Sequence, residues 1–492
     1  MKMQIYRNRR KDIKHTMEGQ NKSLFQLFVP LCLETIFYML SGMVDTLMLS
    51  SVGDQAVGAV GTANTYIGVF IIMYSVVSMG MLAVMTQNIG AGRPGIACQA
   101  KTLGLWFNGI LGVVMSVFLF FCSDGILYVV GIAPALKEPA VQYLRIVGGG
   151  SILNAMIPIL AGYLRAFGYT KQPLIATVTG NILNFILNAV FLFRFHLGVQ
   201  GVASATVISK VVNLILIVIF VRRLIPAKKY SERVNSGEIL RKIIRIGLPS
   251  ALENTIYNIA MTLVIRFLNQ MDTEGINVAA RSYTAQITNL SFCVGSALAQ
   301  ANAIMTGWYM GAGKYEICDK QTKKSAAIGA VLAMGTEFLF AVSAPVLISF
   351  FTQDKSMVEL VQKLMFIDIA LEAGRVTNLV YGNALKTSGD AVFPVILGAV
   401  FMFLCAAGGT YLLGIQLHLA VVGAYIGLTA DECCRAVGML LRRRSGAWKK
   451  KRIDQRLMEV IREYYKTVYR SAFARMGILL LFVAYHSIAH FL

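Results

Sequence analysis

Charge is scarce in this chain. Of its 492 residues only 14% are Asp, Glu, Lys or Arg, against 56% hydrophobic, too little polar surface to coat a water-soluble body of that size. Lipid is the implied solvent. Acids are the scarcer sign, 25 against 46 Lys and Arg, for a formal net charge of +21. The basic residues gather between long apolar stretches, which places them at a membrane surface and argues against a nucleic-acid partner. Cysteine occurs eight times without CxxC or CxxH spacing, so neither a zinc site nor a disulfide framework is indicated. HExxH, GxGD, GxSxG and P-loop motifs are missing, and the five His are not paired for metal binding within any span. These absences argue against an intramembrane enzyme and against ATP-driven pumping by this chain, and no selectivity filter suggests a channel. No cofactor is expected.

What the chain does have is long apolar runs. A membrane-spanning helix needs about 20 largely apolar residues, and twelve such stretches fall at roughly 24–50, 56–86, 102–122, 140–164, 174–193, 199–221, 244–268, 276–305, 325–351, 358–384, 391–413 and 419–441. The tails and alternate connections hold about 35 Lys and Arg and the remaining loops about 3. That asymmetry predicts a multi-pass protein of the cytoplasmic membrane with both ends of the bundle cytoplasmic. Residues 1–22 carry seven Lys or Arg with no apolar run before Leu24, a basic tail and not a cleavable signal. The expected division is a tail at 1–22, a six-helix bundle at 23–221, a linker at 222–243, a second bundle at 244–446 and a basic amphipathic tail at 447–492. The apolar run at 476–492 is either a thirteenth span or an interfacial anchor.

The chain also repeats itself at a spacing of about 219 to 222 residues. PLCLETIFY from Pro30 matches PSALENTIY from Pro249, superposing Glu34 on Glu253. MTQNIGAGR from Met85 matches MTGWYMGAGK from Met305, and LRAFGYTKQP from Leu164 matches LKTSGDAVFP from Leu385. Six spans per repeat start both halves on the same side, so the halves are parallel and related by an axis along the membrane normal. The fold class is therefore all-α integral membrane: two six-helix bundles around a central cleft, followed by a basic helix.

VDTLMLSSVG in span one, TQNIGAGR after span two, GLPSALENT opening span seven and LKTSGD..FP after span ten, in that order, resemble the multidrug and toxic compound extrusion (MATE) family over about residues 24–446. The run from ALEAGRVTN to LKTSGDAVFP, followed by ADECCRAVGMLLRRRSGAW, resembles one bacterial branch. The resemblance implies antiport of cationic, amphipathic compounds out of the cytoplasm, driven by H⁺ or Na⁺, by a monomer in contact with membrane lipids. The competing cargo is a lipid-linked oligosaccharide or peptidoglycan precursor, moved by related proteins that usually have fourteen spans and a cationic cavity. Twelve spans and carboxylate-bearing halves favour organic cations.

Ionisable side chains in the hydrocarbon region are costly and mark candidate sites, the alternative being structural ion pairs. Asp45 follows Glu34 by eleven residues, about three turns and roughly 16 Å on one helix face, and sits in the family-like VDT motif. Asn181, Asn184 and Asn188 line one face of span five, either to ligate a cation beside Asp45 or as interhelical glue. Some MATE branches carry a second acid where Asn188 stands, which puts a coupling site confined to the first half in doubt. Glu253 in span seven, with Asp368 and Glu372 one turn apart on span ten, supplies the second set of cation-coupling candidates. Arg375, one turn beyond Glu372, either leaves that acid free or neutralises it in a structural pair. Glu34, Tyr38, Glu253, Tyr257 and Glu372 are the substrate-binding candidates, the two tyrosines because they flank the acids. Asp431, Glu432 and Arg435 near the end of span twelve read as structural, with Glu337 and Lys210 unassigned. No metal site is expected apart from Na⁺ at the coupling acids.

Overall fold

With no water in the bilayer to satisfy backbone groups, apolar stretches of this length resolve into helices. The computed structural model describes residues 22–129, 132–225, 234–272, 274–349 and 352–451, and its regular structure there is entirely helical. Twelve rods follow in order: α1 Leu24–Ser50, α2 Asp54–Gly90, α3 Pro94–Val129, α4 Pro134–Gly149 with Ser151–Ala166, α5 Lys171–Ala189, and α6 Gly198–Leu224. The second half comprises α7 Ser236–Met271, α8 Ile276–Gly311, α9 Tyr315–Ser349, α10 Lys355–Ser388, α11 Val392–Phe401 and α12 Ala420–Arg444. π-helical turns extend α5 through Val190–Arg194 and α11 through Met402–Ala407 and Thr410–Gln416. The two parts of α4 meet at a 42° bend, where the Gly150–Ser151 junction offers little side chain to resist it.

Seven of these helices are long and apolar enough to cross a membrane, eight with the bent α4. The four that miss that threshold are α7, α8, α10 and α12, three of which bear acids of the second half. The expected spans recur as helices, several of them longer. α7 starts at Ser236, inside the expected linker, because Asn235 caps it by accepting a hydrogen bond from the Gly237 amide. The expected basic helix and terminal apolar run after residue 451 lie outside the described residues.

Packing repeats between the halves. α1 packs on α5, α2 on α3 and α4, α3 on α4, α4 on α6, and α5 on α6, while α7–α12 reproduce each of these pairings in the same order. The halves meet through α1 and α2 against α7 and α8. One continuous core unites them at the basic end, joining Leu27, Met81 and Ile159 to Ile243, Leu298 and Trp308. Towards the other end each half keeps a core of its own, one containing Leu49, Ala63 and Leu192, the other Val264, Ile348 and Tyr425. The bundle is thus sealed at its basic end and parted at the opposite one.

The repeated GAG motif explains the seal. A Cβ on Gly90 would lie 2.1 Å from the Trp308 carbonyl oxygen, and one on Gly311 would lie 1.9 Å from that of Gln87. Only glycine allows the ends of α2 and α8 to cross so closely, the usual route to tight helix contact in lipid. Two hydrogen bonds related by the repeat then bolt the halves together: Gln87 Nε2 donates to the Thr387 carbonyl at 2.6 Å, and Trp308 Nε1 donates to the Ala166 carbonyl at 2.8 Å. Each joins the end of a crossing helix to the last turn of the other half's fourth helix. After α12, the RRRSGAW segment folds back. Trp448 is fully buried, donates to the Arg443 carbonyl at 2.9 Å and lies 3.5 Å under the Arg443 guanidinium.

Candidate functional site

In the first half the polar interior is built around α1 and α5. Asp45 accepts a 2.7 Å hydrogen bond from Asn188 Nδ2, and Asn188 also donates to Asn184 Oδ1 at 3.3 Å. Both asparagines are buried, and Asn188 Oδ1 has no hydrogen-bond partner. Asn181 does not join them; it donates to the Phe37 carbonyl at 2.9 Å and ties α5 to α1. Lys210 on α6 donates to Asn154 Oδ1 on α4 at 2.9 Å and interacts electrostatically with Asp45. Tyr143, buried on α4, lies within reach of Asn64 and Thr206 and close to Asp45 and Tyr38.

Glu34 lies apart from this pocket. It accepts from Arg165 Nη2 at 2.6 Å and from Thr177 Oγ1 at 3.4 Å. Its counterpart Glu253 is paired with Lys386 Nζ at 2.7 Å. The two ion pairs are related by the repeat, each joining the first helix of a half to the end of the fourth. In this conformation neither acid is a free carboxylate for a cation.

The second half holds a larger network. Glu372 pairs with Arg375, which reaches on to Glu432 at 3.5 Å. Glu432 also accepts from Asn378 at 3.0 Å and pairs with Arg435 at 2.8 Å, while Arg435 grips Asp431 at 2.9 and 2.7 Å. Of the two readings of Arg375, the paired one is realised. Asp431, Glu432 and Arg435 are 1%, 5% and 4% exposed, so they do not snorkel to an interface but belong to the interior network. Tyr257 lies close to Arg375.

Two acids in this network have no base of their own. Asp368 is 2% exposed with Oδ2 unpartnered, and Glu337 on α9 is fully buried with neither oxygen hydrogen-bonded. The helix register places them level. Gly329 on α9 packs on Val376 of α10, and Gln362 on α10 donates to the Ala341 carbonyl on α9 at 3.1 Å, so these antiparallel helices bring Glu337 beside Asp368. The two interact electrostatically, together with Glu372 and Arg375. Five carboxyl groups thus share two guanidinium groups, and burying an ionised carboxylate without a compensating partner is costly.

Sequence reasoning missed Arg165, Lys386 and Asn154, and left Glu337 and Lys210 without a role. A signal was present for the first two. LRAFG and LKTSG superpose Arg165 on Lys386 as the proline motifs superpose Glu34 on Glu253, so two repeated charges of each sign were legible as a pair of ion pairs.

The MatE family model matches residues 30–190 and 249–412, one stretch in each half. An uncharacterized transporter of Bacillus subtilis, YisQ, is 32% identical over 435 residues, covering 87% of this chain and 95% of the relative. The chain belongs to the MATE family. A probable multidrug resistance protein NorM of Thermotoga maritima is 26% identical to this MATE chain over 450 residues, 88% of the chain and 94% of the relative. Among solved structures, an outward-facing multidrug resistance MATE family transporter matches with a TM-score of 0.81 at 22% identity, covering 89% of this chain and 98% of that one. A MATE structure in the bent conformation matches at 0.80 with the same identity and coverage. These two share its fold of paired, pseudo-symmetric bundles. As a MATE protein the chain is a multi-pass membrane protein and a secondary-active antiporter, not an enzyme, with H⁺ or Na⁺ as its coupling ion.

Proposed function

We propose that this MATE transporter exports cationic amphipathic compounds by rocking its two halves about the sealed basic end, which faces the cytoplasm in the described conformation. The observation that carries this reading is the surplus of buried carboxyl groups in the second half, five against two guanidinium groups. Neutralised by the coupling ion, these acids are quiet; emptied, they attract a cationic cargo, so ion and drug compete for the same charge. Asp45 with Asn184 and Asn188 forms one coupling site, and Asp368 with Glu372 the second. Tyr38 and Tyr257, at repeat-related positions beside the two sites, offer aromatic faces to a delocalised cation. Glu34 and Glu253 take part only if rocking opens their pairs with Arg165 and Lys386. Asn181 contributes helix packing. The acidic interior favours cationic cargo over a pyrophosphate-linked lipid, and a single chain encloses the whole cleft, as suits a monomer.

The test is ethidium efflux from proteoliposomes under separately imposed pH and sodium gradients. One gradient is expected to drive efflux, and Asp45→Asn and Glu372→Gln are each expected to reduce it at least about tenfold, the effect of losing about 1.4 kcal/mol of coupling. Glu253→Gln is expected to weaken it less. Efflux unmoved by all three substitutions would reject these sites; efflux indifferent to both gradients would reject antiport. Preference for a lipid-linked substrate over ethidium would reject the cargo.

A further inference from the structure

Lys210 is the one feature of the first half's pocket that the antiport reading leaves without work. An ammonium inside a membrane helix is expensive and persists where it has a partner or a task. Here its hydrogen bond goes to the neutral Asn154 at 2.9 Å, while its charge is felt by Asp45 across the pocket. The groups around Asp45 are otherwise uncharged: Asn64 from α2, Tyr143 and Asn154 from α4, Asn184 and Asn188 from α5, and Thr206 from α6. α8, which packs on α1 from the other half, meets it through Cys293 against Met39. One acid and one base therefore bring the pocket to zero net charge.

We propose that Lys210 is the determinant of ion specificity in this pocket: its tethered ammonium supplies the countercharge of Asp45, so the pocket exchanges a proton and rejects Na⁺. The inference rests on the antiport reading above and narrows the coupling ion of this first-half site to H⁺. A sodium ion entering between Asp45 and the buried carboxamides would have its attraction to Asp45 offset by a like charge held in low dielectric. A proton forms a covalent O–H bond on the Asp45 carboxylate and needs no shell of oxygen ligands. The carboxamide that already donates to Asp45, that of Asn188, also carries a buried and unpartnered acceptor, Oδ1. Discharge of the proton restores the acid–ammonium balance, so the pocket cycles between one positive charge and none. A pocket without Lys210 would instead cycle between none and one negative charge, and any monovalent cation could fill it.

The test measures ²²Na⁺ binding to the purified full chain at fixed pH, alongside ethidium efflux from proteoliposomes. Wild type is expected to bind Na⁺ at least tenfold more weakly than Lys210→Met, with Lys210→Arg like wild type and Lys210→Met/Asp45→Asn losing the gained site. Lys210→Met is expected to respond to a sodium gradient more strongly than wild type does. Equal Na⁺ affinity in wild type and Lys210→Met overturns the inference, as does Na⁺ binding by the protein with Lys210 intact that Asp45→Asn removes. Because Na⁺ binding is read without transport, a protein that moves no ethidium under either gradient loses the antiport reading while the binding arm still decides the role of Lys210.

Discussion

The two halves share a scaffold and differ in the charges they enclose. Their helices pack in the same pairs, each carries a Glu paired to a base at the end of its fourth helix, and each sends one hydrogen bond across the seal. Inside, the first half balances Asp45 with Lys210, whereas the second crowds five carboxyl groups around Arg375 and Arg435. The repeat sets Lys210 on α6 against the Asp431–Glu432 step of α12, and Asn154 on α4 against Arg375 on α10, so the sign of charge is exchanged between helices. The shared contacts are those that a rocking motion needs from both bundles. The unshared ones sit at the proposed ion and cargo sites, so the scaffold is common to the halves while their interiors differ.

That comparison can be broken at several strengths. The largest effect is expected at Arg375, the base that holds the second half's acids together. Arg375→Met should lower stability in detergent by about 3 to 5 kcal/mol, the usual result of leaving a buried charge unpaired, read as a fall in the thermal unfolding midpoint. Adding Glu372→Gln should recover part of that loss; no recovery would mean that the two do not act as a pair. Next is Glu337, whose oxygens lack any partner. Glu337→Met should raise stability by about 1 to 3 kcal/mol, since an unsatisfied buried polar group is removed, while slowing efflux. A stability gain with efflux untouched would make Glu337 a structural burden, not a proton-carrying group, and would shrink the contrast between the halves.

The smallest effect concerns what the halves share. Gln87→Ala and Trp308→Phe each remove one cross-seal hydrogen bond, worth about 1 kcal/mol. If the seal is symmetric, labelling of a cysteine introduced near Gly90 should quicken by similar factors in both variants. A response to only one would show that the seal is borne unevenly.

Much of the architecture was legible from residues alone. Twelve helices, the duplication and the asymmetry of basic loops follow from length and composition, because a bilayer imposes a minimum apolar run and leaves no other way to satisfy the backbone. Asp45 and Asn188 fall on facing helices as the acid and carboxamide pattern suggested. Less was legible of how each acid is spent. Glu34 and Glu253 looked alike as candidates, and both are paired with bases more than a hundred residues away. Asp431 and Glu432 read only as structural residues near a span end, and they are deeply buried in the network around Arg375 and Arg435.

Sequence by itself determined that this is a twofold-repeated bundle living in lipid, with acids in its membrane helices, since those properties depend on composition, period and local spacing. Only the tertiary structure decided which acids are neutralised and which remain without a base. That depends on the side chain another helix presents at the same depth, and depth is set by crossing points such as Gly90 on Trp308 and Gly329 on Val376, which no spacing along one helix encodes.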